Sequence, residues 1–374
     1  MPKRIFILKL LLLYYSNSVA QKKFNVLIDF PSNIDRKNIK FQYDNGKERY
    51  GNLKPTFKDN KVMISGIYYS KYATIYLDYM KGTTGFNNAF WITDKSATIR
   101  FLPDKDSTQN PLKNFELKNA YSLNSMGQEK LNKFYAVEEK DFFDFLLKIK
   151  GNMNDSLVQI AFEKAKVKNK KVIEFVTNNS NLYYSFWLFR NRIITDMDAN
   201  PDSLIKIFNT VFSDSLKKSF EGNEIIKYLN GRRLSIYNNY IDFIVNDITG
   251  KKITLSKSQS KYVLLTFWAS WCGPCVKELT YIKELRKYYS KDELEIISVS
   301  WDKQILDLKK AITKYQLSWI HIFDNNEITN SYGIVAIPEV FLIDIVSKKI
   351  IYRNNENEYD MVNVHKILNE NLKR

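Results

Sequence analysis

The chain has 374 residues, a formal net charge of +16, and a hydrophobic content of 44% that includes 24 Tyr and 24 Phe. Its length admits two or three domains, and so aromatic a composition excludes a globally disordered chain. The basic excess lies in residues 1–237, with 38 Lys+Arg against 24 Asp+Glu, while residues 238–374 hold 19 against 17; no dense basic run appears, so the excess reads as solvated faces.

The start is basic (Met1-Pro2-Lys3-Arg4), then apolar from Ile5 to Tyr15, then small at Ser18-Val19-Ala20. This pattern predicts a secretory signal over residues 1–20, cleaved before Gln21. The apolar run is shorter than the ~20 residues a membrane-spanning helix needs, and no cysteine follows it to carry a lipid. Export to the periplasm makes nucleic acid an improbable partner.

Residues 21–118 read as a β-rich, sandwich-like domain. Strand patterns cover Phe24 to Phe30, Ile39 to Tyr43, Val62 to Ile67, Thr74 to Tyr79, Phe90 to Ile92 and Ala97 to Leu102, with turn signals at Asp44-Asn45-Gly46 and Lys81-Gly82. Residues 119–237 read as a helical region, with helices over Gln128 to Lys150, Ser156 to Asn178, Tyr183 to Met197, Pro201 to Phe212 and Ser213 to Leu229. Asp155-Ser156 and Asn200-Pro201 look like helix starts. The aromatic run Tyr183, Tyr184, Phe186, Trp187, Phe189 is expected to pack between helices.

From residue 238 to 374 strands and helices alternate. Strand candidates are Ile241 to Val245, Ile253 to Leu255, Tyr262 to Phe267, Leu294 to Ser300, Trp319 to Phe323, Glu339 to Ile343 and Ile350 to Arg353. Helices fit Cys275 to Tyr289, Ile305 to Tyr315 and Tyr359 to Leu372. Cys272 and Cys275, the only cysteines in the chain, lie between a buried strand pattern and a helix whose face is Val276, Leu279, Ile282 and Leu285. A C-x-x-C at the start of a helix within a βαβ alternation predicts an α/β thioredoxin fold.

At a helix start, unpaired backbone N–H groups and the positive end of the helix dipole favour a thiolate. Cys272 is therefore the expected nucleophile, its pKa within the roughly 3.5 to 7.5 of such sites rather than near 8.5. Cys275, one turn further in, is placed to attack a mixed disulfide and release the product. A structural zinc site would need two more ligands. The chain offers only His321 and His365, far apart in sequence, so neither a metal nor a cofactor is expected.

The stretch from Leu265 to Cys275, with Glu278, Ile296 to Asp302, Tyr332-Gly333-Ile334 and Ile337 to Asp344, resembles the exported thioredoxin-like proteins of the TlpA/ResA type. The resemblance covers roughly residues 238–374; a weaker one links the preceding regions to poorly characterised N-terminal extensions of such proteins. It implies a periplasmic thiol:disulfide oxidoreductase. Its partners would be exported proteins bearing disulfides and a membrane thiol-electron donor. Gly273-Pro274 is the dipeptide of reducing thioredoxins, which points to a reductase.

By the same resemblance, Pro338 is a cis-proline facing the dithiol, and the Ile337 backbone is left free to pair with an extended substrate segment. Trp271, Gly273 and Pro274 complete the expected substrate surface. The resemblance also gives Glu278 a functional role, exchanging a proton with Cys275, whereas its helix position alone fits a solvated glutamate equally well. Two positions depart from the pattern. Thr266 stands where cytosolic thioredoxins carry a buried acid, and Glu339 follows the proline where Thr is usual, a carboxylate that would raise the thiol pKa or turn away acidic partners. Two other readings stay open: a thiol peroxidase, and a ligand- or partner-binding protein in which residues 21–237 carry the main role.

Overall fold

The computed structural model describes residues 21–373 except 48–50, 54, 83, 104–109, 153, 324–325 and 355–360. The expected signal segment lies outside the described residues. Strands β1 (Lys22–Asp29), β2 (Ile39–Asp44), β3 (Gly51–Leu53), β4 (Phe57–Lys58), β5 (Lys61–Tyr68), β6 (Ala73–Lys81), β7 (Thr84–Ile92), β8 (Ala97–Phe101), β9 (Phe115–Lys118) and β10 (Ala120–Ser122) come first. They form two five-stranded sheets, ordered β4-β5-β1-β8-β9 and β10-β7-β6-β2-β3.

Because side chains alternate along a strand, each sheet sends one face inward. Val26, Ile28, Ile99 and Phe101 of the first sheet meet Ile75, Leu77, Phe90 and Ile92 of the second in one core. The sandwich-like reading therefore holds. Strands β3, β4 and β9 had no pattern long enough to announce them, and β10 lies at the start of the expected helical region, ahead of its first helix, paired with β7 through Ala120–Ile92 and Ser122–Phe90.

The helical part comprises α1 (Glu129–Phe134), α2 (Ala136–Ile149), α3 (Asp155–Asn178), α4 (Tyr183–Leu188), α5 (Pro201–Val211), α6 (Asp214–Lys217) and α7 (Phe220–Arg232). Its core takes Trp91 from the outer face of β7 and packs it against Tyr183, Tyr184, Phe175 and Phe189. The aromatic run is core, as expected. Helix α3 starts one residue earlier than its pattern, because the Asn154 side chain accepts the Leu157 N–H at 2.9 Å. Three expected helices are broken. The first opens with a wide π turn over Asn124–Gln128 and breaks at Tyr135, which is drawn into the core. The third continues past Leu188 as a π turn over Phe189–Ile193. From that turn Arg190 reaches the second sheet, bonding Asp44 at 2.6 Å and the Gly46 carbonyl at 2.7 Å. The last divides at Ser219, whose hydroxyl caps α7 by accepting the Gly222 N–H at 3.1 Å.

After a hairpin of β11 (Ile244–Asn246) and β12 (Lys252–Thr254), β13 (Tyr262–Trp268) runs through the middle of a five-stranded sheet. All seven of its residues are buried, which explains why the stretch is apolar apart from Thr266. It is parallel to β14 (Leu294–Ser300) and antiparallel to β16 (Glu339–Asp344), and β15 (Ile320–Phe323) and β17 (Lys349–Arg353) complete the order β15-β14-β13-β16-β17. Helices α8 (Gly273–Tyr288), α9 (Ile305–Tyr315) and α10 (Glu327–Ser331) join these strands, α11 (Met361–Leu372) follows the last of them, and α10 was too short to read from the sequence. The α/β thioredoxin fold is present here. No helix among the described residues is long and apolar enough to cross a membrane.

Candidate active site

The site sits where buried β13 ends and α8 begins. Cys272 is the N-cap of α8, its backbone extended (φ −84°, ψ 103°), with Pro274 in the first turn. Its sulfur accepts the Cys275 N–H at 3.2 Å and is joined to Cys275 Sγ in a disulfide, the Cα atoms 5.3 Å apart. Cys275 is the deeper of the two, 1% exposed against 6%. Beside them Trp271 is 64% exposed, and the position of a Cβ on Gly273 meets nothing within 4 Å, so this side of the pair is open to a partner.

Two loops hold the pair in place. The Ile337–Pro338 peptide is cis, and the Ile337 carbonyl oxygen lies 3.8 Å from Cys272 Sγ. Asn354 fastens that loop: its Oδ1 accepts the Val340 N–H at 3.0 Å, and its Nδ2 donates to the Pro338 carbonyl at 3.3 Å. Asp302 fastens the loop before Cys272. Its carboxylate accepts the Ser270 hydroxyl at 2.6 Å, the Ser270 N–H at 3.2 Å and the Ser300 hydroxyl at 2.8 Å. Neither role was legible from sequence: Asp302 stood in the Ile296 to Asp302 motif with no task, and Asn354 follows the last strand without any local pattern.

Glu278 returns to the face of α8 that carries Cys275, one turn on. It is buried, so the solvated reading is replaced. Burial pushes its carboxyl up from 4.5 to about 7, and the negative charge of Glu339 adds to the shift. With Pro274, Lys277, Tyr281, Tyr352 and Asn354 it lines a cavity of about 180 Å³.

Glu339 itself faces no open groove. It pairs with buried Arg353, Nε to Oε1 at 2.7 Å, across the β16–β17 ladder, and Arg353 also donates to the Leu234 carbonyl. The expectation of a carboxylate selecting partners at the surface is thereby corrected, since Glu339 is buried and ion-paired. Its effect on the site is instead electrostatic, through Glu278. Thr266, one residue before Phe267 on β13, is buried and its hydroxyl has no hydrogen-bond partner among the described residues.

The two histidines are occupied elsewhere. His321 Nδ1 meets the Ser298 hydroxyl at 2.6 Å in the sheet, and burial lowers its pKa to about 4; His365 packs on Tyr288 and Tyr289. Among the described residues no group of three or more His, Cys, Asp or Glu is placed to hold a metal.

A sequence model of the AhpC/TSA family matches residues 236–352. The thiol-disulfide oxidoreductase ResA of Bacillus thuringiensis subsp. konkukian is 38% identical over 110 residues, which is 29% of this chain and 64% of that protein. The ResA of Geobacillus thermodenitrificans is 34% identical over 104 residues, 28% of this chain and 60% of that protein. The chain thus spans a little under two thirds of the curated relatives it matches. Among solved structures, the thioredoxin domain of a thiol-disulfide oxidoreductase from Bacteroides vulgatus aligns at 26% identity and a TM-score of 0.33, covering 36% of this chain and 99% of that one. A thiol:disulfide interchange protein from Bacteroides sp. aligns at 28% identity and a TM-score of 0.33, covering 36% and 91%. With the C-x-x-C at the N-cap of α8 and the buried β13 behind it, residues 236–352 form a thioredoxin-like region that is similar to the ResA thiol-disulfide oxidoreductases.

Proposed function

We propose that the chain is an exported thiol:disulfide oxidoreductase that works in the periplasm as a reductase of disulfides in other exported proteins. Residues 238–374 carry the chemistry, and residues 21–118 and 119–237 are domains appended to it. The observation that carries this reading is the bonded Cys272–Cys275 pair at the N-cap of α8, with a backbone carbonyl 3.8 Å from the outer sulfur and an open surface beside it.

In the reduced form, the Cys272 thiolate attacks one sulfur of a client disulfide. The client S–S bond breaks, a Cys272–client S–S bond forms, and the departing client thiolate takes up a proton. Cys275 then gives its proton to the Glu278 carboxylate and attacks Cys272 Sγ. The mixed disulfide breaks, the second client thiol leaves protonated, and the pair ends as the disulfide seen here. The client gains two electrons from the dithiol and two protons: one comes from solvent, which took it when Cys272 ionised, and the other is the Cys275 proton, passed on by Glu278. A thiol donor in the membrane restores the dithiol. The client segment lies against Trp271, Gly273 and Pro274 and pairs with the Ile337 backbone beside cis Pro338.

Without Cys275 the first step proceeds and the second cannot. The Cys275→Ser variant, expressed in the periplasm and isolated under acid quench, is expected to carry client proteins in bands that dithiothreitol removes. The same bands appearing with Cys272→Ser in place of Cys275→Ser would contradict the assignment of Cys272 as the nucleophile.

A further inference from the structure

The second sheet of the sandwich bears a polar cleft on its outer face. On β6, Ile75, Leu77 and Tyr79 enter the sandwich core, so Tyr76 and Asp78 stand on the opposite face. Across the ladder Gln42 pairs with Tyr76 and Tyr76 with Ala89, while Asp78 pairs with Asn87 in the next row. Ala89, the smallest of these, leaves space between its neighbours. The facing wall comes from the helical part: Gln128 of the π turn, Asn132 of α1 and Trp187 of α4. The cavity between them measures about 680 Å³, within the range of roughly 300 to 1,000 Å³ typical of small-molecule sites.

Its polar groups are of mixed sense. Gln128 is committed, accepting the Tyr184 hydroxyl and donating to Asn132 Oδ1, both at 2.5 Å. The Trp187 indole N–H is buried and has no acceptor among the described residues. Among those residues no hydrogen bond engages the side chains of Gln42, Asp78 or Asn87 either, nor the Asn132 N–H₂. The cleft thus offers donors, one carboxylate and, with Asn124, three amides that do both.

An anion would need a surplus of donors and cations, yet Lys113 is the one basic residue in the lining, and the Asp78 carboxylate beside it is balanced by Lys40 across the β2–β6 ladder. A cation would need more than one carboxylate. An apolar ligand would leave these polar groups unpaired at a cost. A hydroxyl both donates and accepts, and adjacent hydroxyls of a sugar ring match the donor–acceptor pair of an amide. Tyr76, Phe115 and Trp187 supply apolar ring surface for the C–H faces of such a ring. We propose that this cleft binds a neutral saccharide through hydrogen bonds of Gln42, Asp78, Asn87 and Asn132, with the Trp187 ring against a sugar face. None of the lining residues belongs to the Cys272 region, so the site stands or falls apart from the redox reading.

The test is calorimetric titration of the full chain with maltotriose, cellotriose and the trimer of N-acetylglucosamine. Saturable binding of at least one, with a Kd of about 10 mM or tighter, is expected, and the Gln42→Ala/Asn87→Ala double variant should weaken it by about tenfold or more, the loss of hydrogen-bond partners. Trp187→Phe keeps an aromatic ring but loses the five-membered half of the indole, and with it part of the surface offered to a sugar face, so it should weaken binding while the midpoint of thermal unfolding stays close to the parent's. Cys272→Ser should bind as the parent does. No saturable binding to any of the three sugars overturns the proposal, as does binding that the double variant leaves intact.

Discussion

Glu278 gains its chemistry from where the fold puts it. A carboxyl with a pKa of about 7 is half-ionised at neutral pH, so it can take the Cys275 proton and return it at similar cost. The raised pKa also weighs on stability. Below the ordinary value of 4.5 the group is neutral in both folded and unfolded chains; as pH rises from there the unfolded chain ionises first, and native stability falls until the native carboxyl ionises near 7. Glu278→Gln removes that loss. Urea unfolding of the oxidised protein should show the variant more stable than the parent by about 1–3 kcal/mol at pH 8, with the gain gone by pH 4.5, since a tenfold change in an ionisation constant corresponds to ~1.4 kcal/mol. Its turnover should fall by about tenfold or more and lose the rise near pH 7. A gain of equal size at both pH values would place the effect in packing. At this scale the cysteines and the helix face of Glu278 were legible because their spacing is local. The Glu339–Arg353, Asp302–Ser270 and Asn354–Pro338 pairings were not, because each joins segments that only the sheet brings together.

Among elements, β13 was readable from the sequence because a strand buried on both faces is apolar nearly throughout, and α8 because Val276, Leu279, Ile282 and Leu285 recur at helical spacing. The π turns over Asn124–Gln128 and Phe189–Ile193 left none, since no proline marks them and tertiary contacts create them: Gly127 lies too close to the Tyr184 ring for a side chain, and Arg190 turns to reach Asp44. A similar close approach joins α7 to the turn after α10. A Cβ on Gly231 would run into the Ser331 carbonyl and the Gly333 nitrogen, and Gly333 itself has a φ of +61°. Gly231→Ala must therefore push the two backbones apart. It is expected to lower the midpoint of thermal unfolding by several degrees, a loss of about 1–3 kcal/mol. An unchanged midpoint would show that the crossing yields without cost.

Across the whole molecule, a buried charge cluster ties the sandwich to the helices. Arg190 holds Asp44 at the end of β2 and the Gly46 carbonyl in the turn after it, while Glu221 of α7 accepts the Tyr183 hydroxyl at 2.7 Å and the Lys71 N–H at 3.1 Å. Burial raises the pKa of Glu221, and the Arg190 charge opposes that rise. Arg190→Met leaves Asp44 buried and uncompensated. It should cost about 3–5 kcal/mol, read in denaturant unfolding; a loss under about 1 kcal/mol would mean that water or a rearrangement replaces the pair.

The redox assignment is tested most directly by the reduction potential of the Cys272/Cys275 pair, measured by equilibrating the protein in graded dithiothreitol buffers and trapping free thiols by alkylation. A value well below about −200 mV is predicted for a reductase. A value near −120 mV would make the protein an oxidant and reverse the direction, and a pair that never forms a disulfide in solution would contradict the account outright.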